Sequence, residues 1–312
     1  MLEKILIPVD GTPRAEAVLW HLARLLRGRE SQVVFLRVIE PILGYPGVET
    51  GAIVENERAE AKAYFKELKE RLPARDARVT GLIREGYPAD VILHVAKEER
   101  ATLIAMGTHG RTGIARWAWG SVAEDVLRGA DVPVLLTRSD RREGAGWIPA
   151  SPEEAPFRRL LVPTDGSEAA AAALPVAASV ARDFGAEVVA LHVVPEHAEL
   201  VMGHTAVPDA PPSPELGRRI AAEFVAPLTD EGLKTRAEGV AGDAVEKILE
   251  TAARREADLI VMGTHGRSGL ARLGLGSVTE RVLRGAAVPM LVVRASTTSA
   301  RRRKLARGAA TS

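Results

Sequence analysis

The chain has 312 residues, which is enough for two domains of ordinary size. Hydrophobic residues make up 46% of the sequence and the formal net charge is +1, so the composition is globular and excludes a wholly disordered chain. The sequence contains no cysteine, which excludes disulfides and cysteine-ligated metal sites, and no apolar run reaches the roughly 18 residues that span a bilayer.

Strands and helices alternate along the first part of the chain. The N-terminal residues form an apolar strand closed by Asp-Gly rather than a signal peptide, so the cytoplasm is the expected location, without membrane attachment. A helix with Thr12 as N-cap follows. This alternation predicts a parallel sheet with helices on both faces. The predicted elements are strand Lys4–Val9, a helix from Pro13, strand Val33–Ile39, a helix over about 54–72, strand Arg78–Arg84, helix Ala89–Glu98, strand Thr102–Met106, helix Ser121–Arg128 and strand Val132–Arg138.

The second part of the chain repeats the first. Ile5–Thr12 returns as Leu160–Ser167, and 24 of the 37 residues in 102–138 are identical in 258–294. The expected fold class is therefore α/β, with two tandem copies of an open, doubly wound, five-stranded parallel sheet. The predicted organisation is a domain at 1–139, a linker at 140–156 that is rich in proline and glycine, a second domain at 157–295, and a basic, disordered tail at 296–312.

The net charge averages two unlike parts. Residues 296–312 contain five basic and no acidic residues, which leaves a net charge of −4 for the rest of the chain. A basic tail can touch nucleic acid or anionic lipid, although a solvated end is the simpler interpretation. Because the body is slightly acidic, no specific nucleic-acid partner is expected.

One candidate site residue follows the first strand of each half. Ligands of doubly wound sheets bind at the carboxyl ends of the strands, where Asp10 and Asp165 are expected to lie. A carboxylate there can accept hydrogen bonds from a ribose or a base, can help to hold a cation, or can cap a turn without any ligand. These alternatives stay open at this point.

A glycine pattern follows the fourth strand of each half. It reads Gly-x2-Gly-x9-Gly-Ser, from Gly107 to Ser121 and again from Gly263 to Ser277. Glycines let backbone N–H groups approach an anion, and the final Gly-Ser opens a helix whose N-terminus favours phosphate. With an arginine in each loop as charge partner, the pattern predicts a cradle for a polyphosphate.

The same residues have an interpretation that needs no ligand. Ser121-x-x-Glu124 and Ser277-x-x-Glu280 have the sequence of capping boxes, which start a helix by themselves. The loop glycines can likewise serve turns alone. In that case the chain would be a nucleotide-free interaction scaffold.

One histidine lies in each glycine pattern, His109 and His265. Each is a general-base candidate for a weak ATPase or phosphotransfer enzyme, or an imidazole that orders the loop or contacts phosphate. The sequence shows no second catalytic group at a motif spacing from these histidines, so no catalytic residue and no metal ligand is assigned. The sequence has no Gly-x4-Gly-Lys-Ser/Thr motif, which excludes a P-loop NTPase.

Both halves resemble universal stress protein domains, and the chain is similar to a tandem universal stress protein. The resemblance rests on Pro8-x-Asp10-Gly11, the glycine pattern and Val132–Leu136, with Pro163-x-Asp165-Gly166 and Val288–Val292 in the second half. It implies a flavodoxin-like sheet in each half. Since the glycine pattern resembles that of the family's ATP-binding branch, it also implies an ATP-binding sensor or regulatory module with two pockets, in which Mg²⁺ can accompany the nucleotide.

The resemblance also implies roles for single residues. Asp10 and Asp165 would contact the adenosine moiety, and Val38 and Val193 would recognise adenine through backbone atoms. The residues implied to bind ATP are Pro8, Asp10, Gly11, Val38, Met106, Gly107, His109, Gly110, Arg111, Gly120, Ser121 and Val122 in the first half, and Pro163, Asp165, Gly166, Val193, Met262, Gly263, His265, Gly266, Arg267, Gly276, Ser277 and Val278 in the second.

The fifth strand is the usual dimerisation edge of the family. The resemblance therefore implies that the two halves pair as a pseudo-dimer within one chain, and a homodimer is a further expectation. Pairing would also cover an otherwise exposed sheet edge. The halves are not identical, since Val9 becomes Thr164 and the tryptophans at 117 and 119 become leucines.

Overall fold

The structure is a computed structural model that describes residues 2–26, 29–41, 50–72, 77–107, 120–137, 157–196, 213–264 and 275–294. The chain divides into two compact units, residues 1–156 and 157–312. The predicted linker and tail lie outside the described residues. No helix in the described ranges is long and apolar enough to cross a membrane.

The first unit is built on a five-stranded sheet in the order β3-β2-β1-β4-β5. The neighbouring strands run parallel throughout. Its elements are β1 (Lys4–Pro8), α1 (Pro13–Leu26), β2 (Gln32–Ile39), α2 (Thr50–Arg71), β3 (Arg78–Glu85), α3 (Pro88–Glu98), β4 (Leu103–Gly107), α4 (Ser121–Gly129) and β5 (Val134–Thr137).

The second unit repeats this sheet with the strands in the order β8-β7-β6-β9-β10, again all parallel. The first-unit helix after β1 is replaced here by two helices. Its elements are β6 (Arg159–Thr164), α5 (Glu168–Ala171), α6 (Ala173–Phe184), β7 (Glu187–Val194), α7 (Pro214–Asp230), β8 (Thr235–Ala241), α8 (Ala244–Arg254), β9 (Leu259–Gly263), α9 (Ser277–Gly285) and β10 (Met290–Val293).

The central strands explain why the sequence predicted this fold. Ile5, Leu6 and Ile7 of β1 are all fully buried, as are Leu160, Leu161 and Val162 of β6. Neighbouring residues of a strand point to opposite faces, so burial of all three requires cover on both sides of the sheet. The predicted fold class, a flavodoxin-like open parallel sheet present twice, is confirmed.

The strand order fixes where a ligand can enter. In each unit the order reverses beside the first strand, which pairs with β2 and β4 in the first unit and with β7 and β9 in the second. Chain connections leave such a pair in opposite directions and open a crevice at the carboxyl ends of the strands. Asp10 and Asp165 follow β1 and β6 at this point.

Most predicted element boundaries in the first unit agree with the structure to within one residue, and the larger differences are at α2 and β5. Helix α2 begins at Thr50, several residues before the predicted start near 54. The predicted strand Val132–Arg138 begins two residues later, at Val134, and Arg138 lies outside the described residues. Neither difference moves the carboxyl edge of the sheet.

Candidate functional site

The second unit has a cavity at the predicted edge of the sheet. It measures about 210 Å³ and lies where β6, β7 and β9 end and α8 and α9 begin. Apolar side chains from the strands and α8 form one part of the lining, and an aspartate, a serine and threonines form another. The lining residues are Pro163, Thr164, Asp165, Ala170, Leu191, Val193, Ala244, Ile248, Met262, Gly263, Gly276, Ser277, Val278 and Thr279.

Most of the second-half residues predicted from the sequence meet at this cavity. Gly166 lies in the turn beside Asp165 without lining it, and His265, Gly266 and Arg267 lie outside the described residues. The predicted residues that line the cavity are Pro163, Asp165, Val193, Met262, Gly263, Gly276, Ser277 and Val278.

Six lining residues were not predicted. Thr164 and Thr279 are next to predicted residues in the sequence, and that proximity could have pointed to them. Ala244 and Ile248 come from α8, and no motif marks them. The remaining two lining residues that the sequence reasoning missed are Ala170 and Leu191.

The aspartate after the first strand caps its own turn in both units. Oδ1 of Asp165 accepts a hydrogen bond from the Ser167 N–H (2.9 Å), and Oδ1 of Asp10 accepts one from the Thr12 N–H (2.9 Å). The following glycines have φ angles of 79° and 83°, in the left-handed region that favours glycine. The turn interpretation therefore holds for both aspartates, and Asp165 lines the cavity as well.

The predicted capping boxes are wrong. Helices α4 and α9 have Gly120 and Gly276 as N-caps, without a side-chain cap, and the serines are the first helical residues. A glycine in extended conformation directly before the serine takes the cap position, so the serine hydroxyl is not used for capping. In α9 this leaves Ser277 on the cavity, beside first-turn N–H groups that have no acceptor within the helix.

Gly263 has a packing role besides its place on the cavity. A Cβ at this residue would stand 2.7 Å from the main-chain oxygen of Ala169 in α5. The short helix α5 is itself held in place by Ser167, whose Oγ accepts a hydrogen bond from the Ala170 N–H (3.1 Å). The absence of a side chain at Gly263 thus lets α5 close over the end of β9.

Hydrogen bonds join the two ends of the glycine loop in the second unit. The Gly276 N–H donates to the Thr264 oxygen (2.7 Å), and the Thr279 hydroxyl donates to the Gly263 oxygen (3.0 Å). Thr279 and Thr264 are both buried. The residues on either side of the loop are therefore fixed to each other.

An aspartate and an arginine pair near the cavity, since Asp243 directly precedes the lining residue Ala244 and lies beside Arg281 of α9. Asp243 caps α8, and its Oδ1 accepts hydrogen bonds from the N–H groups of Glu246 and Val245, both at 3.0 Å. The bond from Glu246 and the Arg281 guanidinium 3.6 Å away hold the pKa of this carboxyl below its usual range. The charged pair connects the start of α8 to α9.

The first unit arranges its predicted residues in the same order. Pairing of Ile5 with Leu103 brings the end of β1 beside that of β4. His109, Gly110 and Arg111 lie outside the described residues. The others are Pro8, Asp10 and Gly11 at the end of β1, Val38 in β2, Met106 and Gly107 at the end of β4, and Gly120, Ser121 and Val122 at the start of α4.

Two doubly wound parallel sheets, each with a glycine pattern after its fourth strand, define a tandem protein of the flavodoxin-like α/β class. Residues 1–138 and 156–294 each match the Universal stress protein family. The chain belongs to this family and carries two of its domains in tandem.

Relatives that match about half of this chain and relatives that match nearly all of it are both found. A universal stress protein of Methanocaldococcus jannaschii is 38% identical over 146 residues, covering 44% of this chain and 82% of its own length. One of Mycolicibacterium smegmatis is 26% identical over 306 residues, covering 93% and 96%. The solved universal stress protein of Archaeoglobus fulgidus superposes with a TM-score of 0.70 at 23% identity, covering 96% of this chain and 98% of that one, a likeness of fold.

Proposed function

We propose that this universal stress protein binds ATP in each of its two domains and acts as a cytoplasmic sensor or regulatory module. The observation that carries the proposal is the cavity of the second domain, which combines an apolar wall with a helix N-terminus whose serine is not a cap. The residues proposed to bind ATP are those predicted from the sequence in both halves.

The lining suits the two ends of a nucleotide. Leu191, Val193 and Ile248 offer apolar surface to an adenine ring, and Asp165 can accept hydrogen bonds from the ribose hydroxyls. The first turn of α9 offers N–H groups and the positive end of its dipole to phosphate. Ligand sites commonly measure about 300–1,000 Å³, so a cavity of about 210 Å³ matches part of a nucleotide, with the phosphates directed towards the glycine loop.

Three further features belong to the proposal. Asp10 and Asp165 would help to hold Mg²⁺ brought by the nucleotide, since carboxylate oxygens are ligands that this ion accepts. The two domains would pair through their fifth strands as an intrachain pseudo-dimer. A homodimer of the whole chain would add to this pairing, and sedimentation at several protein concentrations measures it.

Isothermal titration calorimetry tests the proposal. We expect the chain to bind ATP at close to two sites, more tightly than NAD. The double variant Ser121→Asp and Ser277→Asp should lose ATP binding, because the new carboxylates repel the phosphates. The fold should be kept, because an aspartate at a helix N-terminus stabilises the helix. Absence of ATP binding by the unaltered chain at millimolar nucleotide would contradict the proposal and favour the interaction scaffold.

Two controls make the result specific. The double variant Ser121→Ala and Ser277→Ala keeps the backbone N–H groups and should bind ATP within a few-fold of the unaltered chain. Ser213→Asp adds the same charge at the start of α7, where Ser213 caps the helix and does not line the cavity, and should leave binding unchanged.

A weak ATPase using the same sites is the second candidate. It is favoured by the histidine in each glycine loop, which is a general-base candidate in sequence. Phosphate release that exceeds the background of the double aspartate variant, and that falls in His109→Gln and His265→Gln, would favour the enzyme over the sensor.

A further inference from the structure

The two domains differ at two buried positions that line the cavity of the second domain. Thr279 of α9 is replaced by Ala123 in α4, and Thr164 at the end of β6 is replaced by Val9. All four residues are buried. The second domain therefore has two hydroxyl groups at places where the first has none.

The Thr279 hydroxyl connects the two sides of the loop. It donates to the main-chain oxygen of Gly263, 16 residues earlier, at 3.0 Å, next to the bond from Gly276 to Thr264. Lining residues that are fixed to each other before binding lose less conformational entropy when a ligand binds. Ala123 cannot make the equivalent bond.

The Thr164 hydroxyl fixes the turn that presents the aspartate. Its Oγ1 accepts a hydrogen bond from the Gly166 N–H at 3.0 Å, while Asp165, between them, lines the cavity. Val9 has no acceptor atom in its side chain, so the turn after β1 is made without this bond.

The two domains also differ in charge at the equivalent positions of α9 and α4 and of the residues that precede α8 and α3. Arg281 follows Thr279 by two residues and lies 3.6 Å from Asp243 at the start of α8. In the first domain these two positions are Asp125 and Tyr87. The Arg281–Asp243 pair therefore carries no net charge, whereas Asp125 and Tyr87 together leave a net charge of −1 in the first domain.

We infer that the two sites are unequal: the second domain holds the tighter ATP site, and Thr279 is a positioning residue that fixes the start of α9 against the end of β9 before the nucleotide binds. The inference rests on the proposed function, because it concerns the same sites. ATP would then fill the chain in two steps, the second domain first.

Calorimetry of single-site variants assigns each step. We expect Ser277→Asp to remove the tighter ATP site and Ser121→Asp to remove the weaker one. Loss of the tighter site in Ser121→Asp, or two sites of equal affinity, would overturn the inference. If the unaltered chain binds only one ATP, loss of that site in Ser277→Asp supports the inference, and loss in Ser121→Asp overturns it. Absence of all ATP binding would instead show that the proposed function is wrong.

Isosteric variants test the hydroxyl itself. Thr279→Val should weaken ATP binding at the tighter site about five- to tenfold, which is the effect of one hydrogen bond. Adenosine binding at this site should stay unchanged, because adenosine has no phosphate groups. The reverse variant Ala123→Thr should strengthen ATP binding at the weaker site. A purely structural role for Thr279 would change both ligands equally, and that result would overturn the inference.

Thr251→Val is the matched control. Thr251 is buried to 2% exposure, compared with 4% for Thr279, but it lies in α8 and does not line the cavity. This variant should keep the ATP affinities of both sites. Unchanged ATP affinities in Thr279→Val and Ala123→Thr, in chains whose thermal unfolding shows a native fold, would overturn the inference.

Discussion

The hydroxyl of Tyr64 donates a 2.7 Å hydrogen bond to Oε1 of Glu16 and thereby joins α2 to α1 in the first domain. Arg71 donates to Oε2 of the same carboxylate, also at 2.7 Å. Glu16 is only 6% exposed, and a carboxylate in such a place must be paired and hydrogen-bonded to be tolerated. Ala171 occupies the equivalent position of the second domain, where no charge is present.

Removing the Tyr64 hydroxyl should destabilise the first domain. Tyr64→Phe leaves one oxygen of a buried carboxylate without this donor, which costs about 1–3 kcal/mol of unfolding free energy. Urea denaturation measures the loss. Tyr87→Phe is the matched control, because Tyr87 is 67% exposed and its loss of a hydroxyl should change stability by less than about 0.5 kcal/mol. Equal stabilities for the two variants would contradict the prediction.

His21 should make the first domain sensitive to mild acid. Burial, and then the nearby Arg24, lower the pKa of His21 from 6.5 to about 4. The neutral form is favoured in the folded state, so the stabilisation is complete above pH 6.5 and is lost as the pH falls towards 4. About 2 kcal/mol should disappear between pH 7.5 and pH 5.

Urea denaturation at several pH values measures this effect. His21→Leu should remove most of the slope, whereas His94→Leu, at an exposed position of α3, should retain it. The Nδ1 atom of His21 is buried and has no hydrogen-bond partner among the residues that the structure describes, so its replacement breaks no bond of this atom to them. Identical slopes in both variants would show that His21 is not responsible.

The residues at the N-cap positions of α3 and α8 can be exchanged by mutation to measure what a side-chain cap contributes. Tyr87 and Asp243 have nearly the same backbone conformation, with φ and ψ of −76° and 128° and of −68° and 128°, but only the aspartate side chain caps its helix. Tyr87→Asp should therefore stabilise the first domain by about 1 kcal/mol, and Asp243→Tyr should destabilise the second by a similar amount. Thermal unfolding of the two variants measures both effects, and a shift in the same direction for both would contradict the prediction.

The gain in Tyr87→Asp should depend on pH. Backbone N–H groups and Arg281 lower the pKa of Asp243, so the stability that this cap contributes is present above the pKa of an unfolded aspartate and is lost as the pH falls through the lower folded value. A cap created at residue 87 should follow the same rule. The control Tyr87→Asn caps without a charge and should keep its effect in acid.

Gly239 should not tolerate a side chain. A Cβ there would stand only 2.0 Å from the main-chain oxygen of Pro214 and 2.1 Å from the main-chain nitrogen of Arg218, where α7 crosses β8. Gly239→Ala should cost about 3 kcal/mol or prevent folding of the second domain, because backbone cannot move aside as a flexible side chain can. Gly51→Ala in α2 meets nothing within 4 Å and should be neutral or stabilise by up to about 1 kcal/mol. Denaturant titration of both variants compares them.

The fold was predictable because burial on both faces leaves apolar runs such as Leu160–Val162, and because Asp-Gly turns depend on local chemistry alone. The N-cap of α9 was not predictable, since Ser277-x-x-Glu280 has the sequence of a capping box and only the backbone shows that Gly276 is the cap. Local sequence does not determine which of two adjacent residues first adopts helical angles.

The unpredicted parts of the site come from contacts between distant segments. Ile248 reaches the cavity through the packing of α8, which follows the edge strand β8, and nothing near it in sequence marks a ligand. Gly263 was interpreted as an opening for phosphate, yet its missing Cβ is also required by Ala169, 94 residues earlier. Such requirements become visible only when the chain is folded.

The tandem arrangement has a consequence for how this chain can change. In an assembly of identical subunits every substitution appears at each copy of a site, so a mutation that weakens one weakens all. Here Thr279 and Ala123 are separate codons of one reading frame, and either can drift while the other is held by selection. Covalent duplication thus allows two domains of common origin to diverge residue by residue within a single chain.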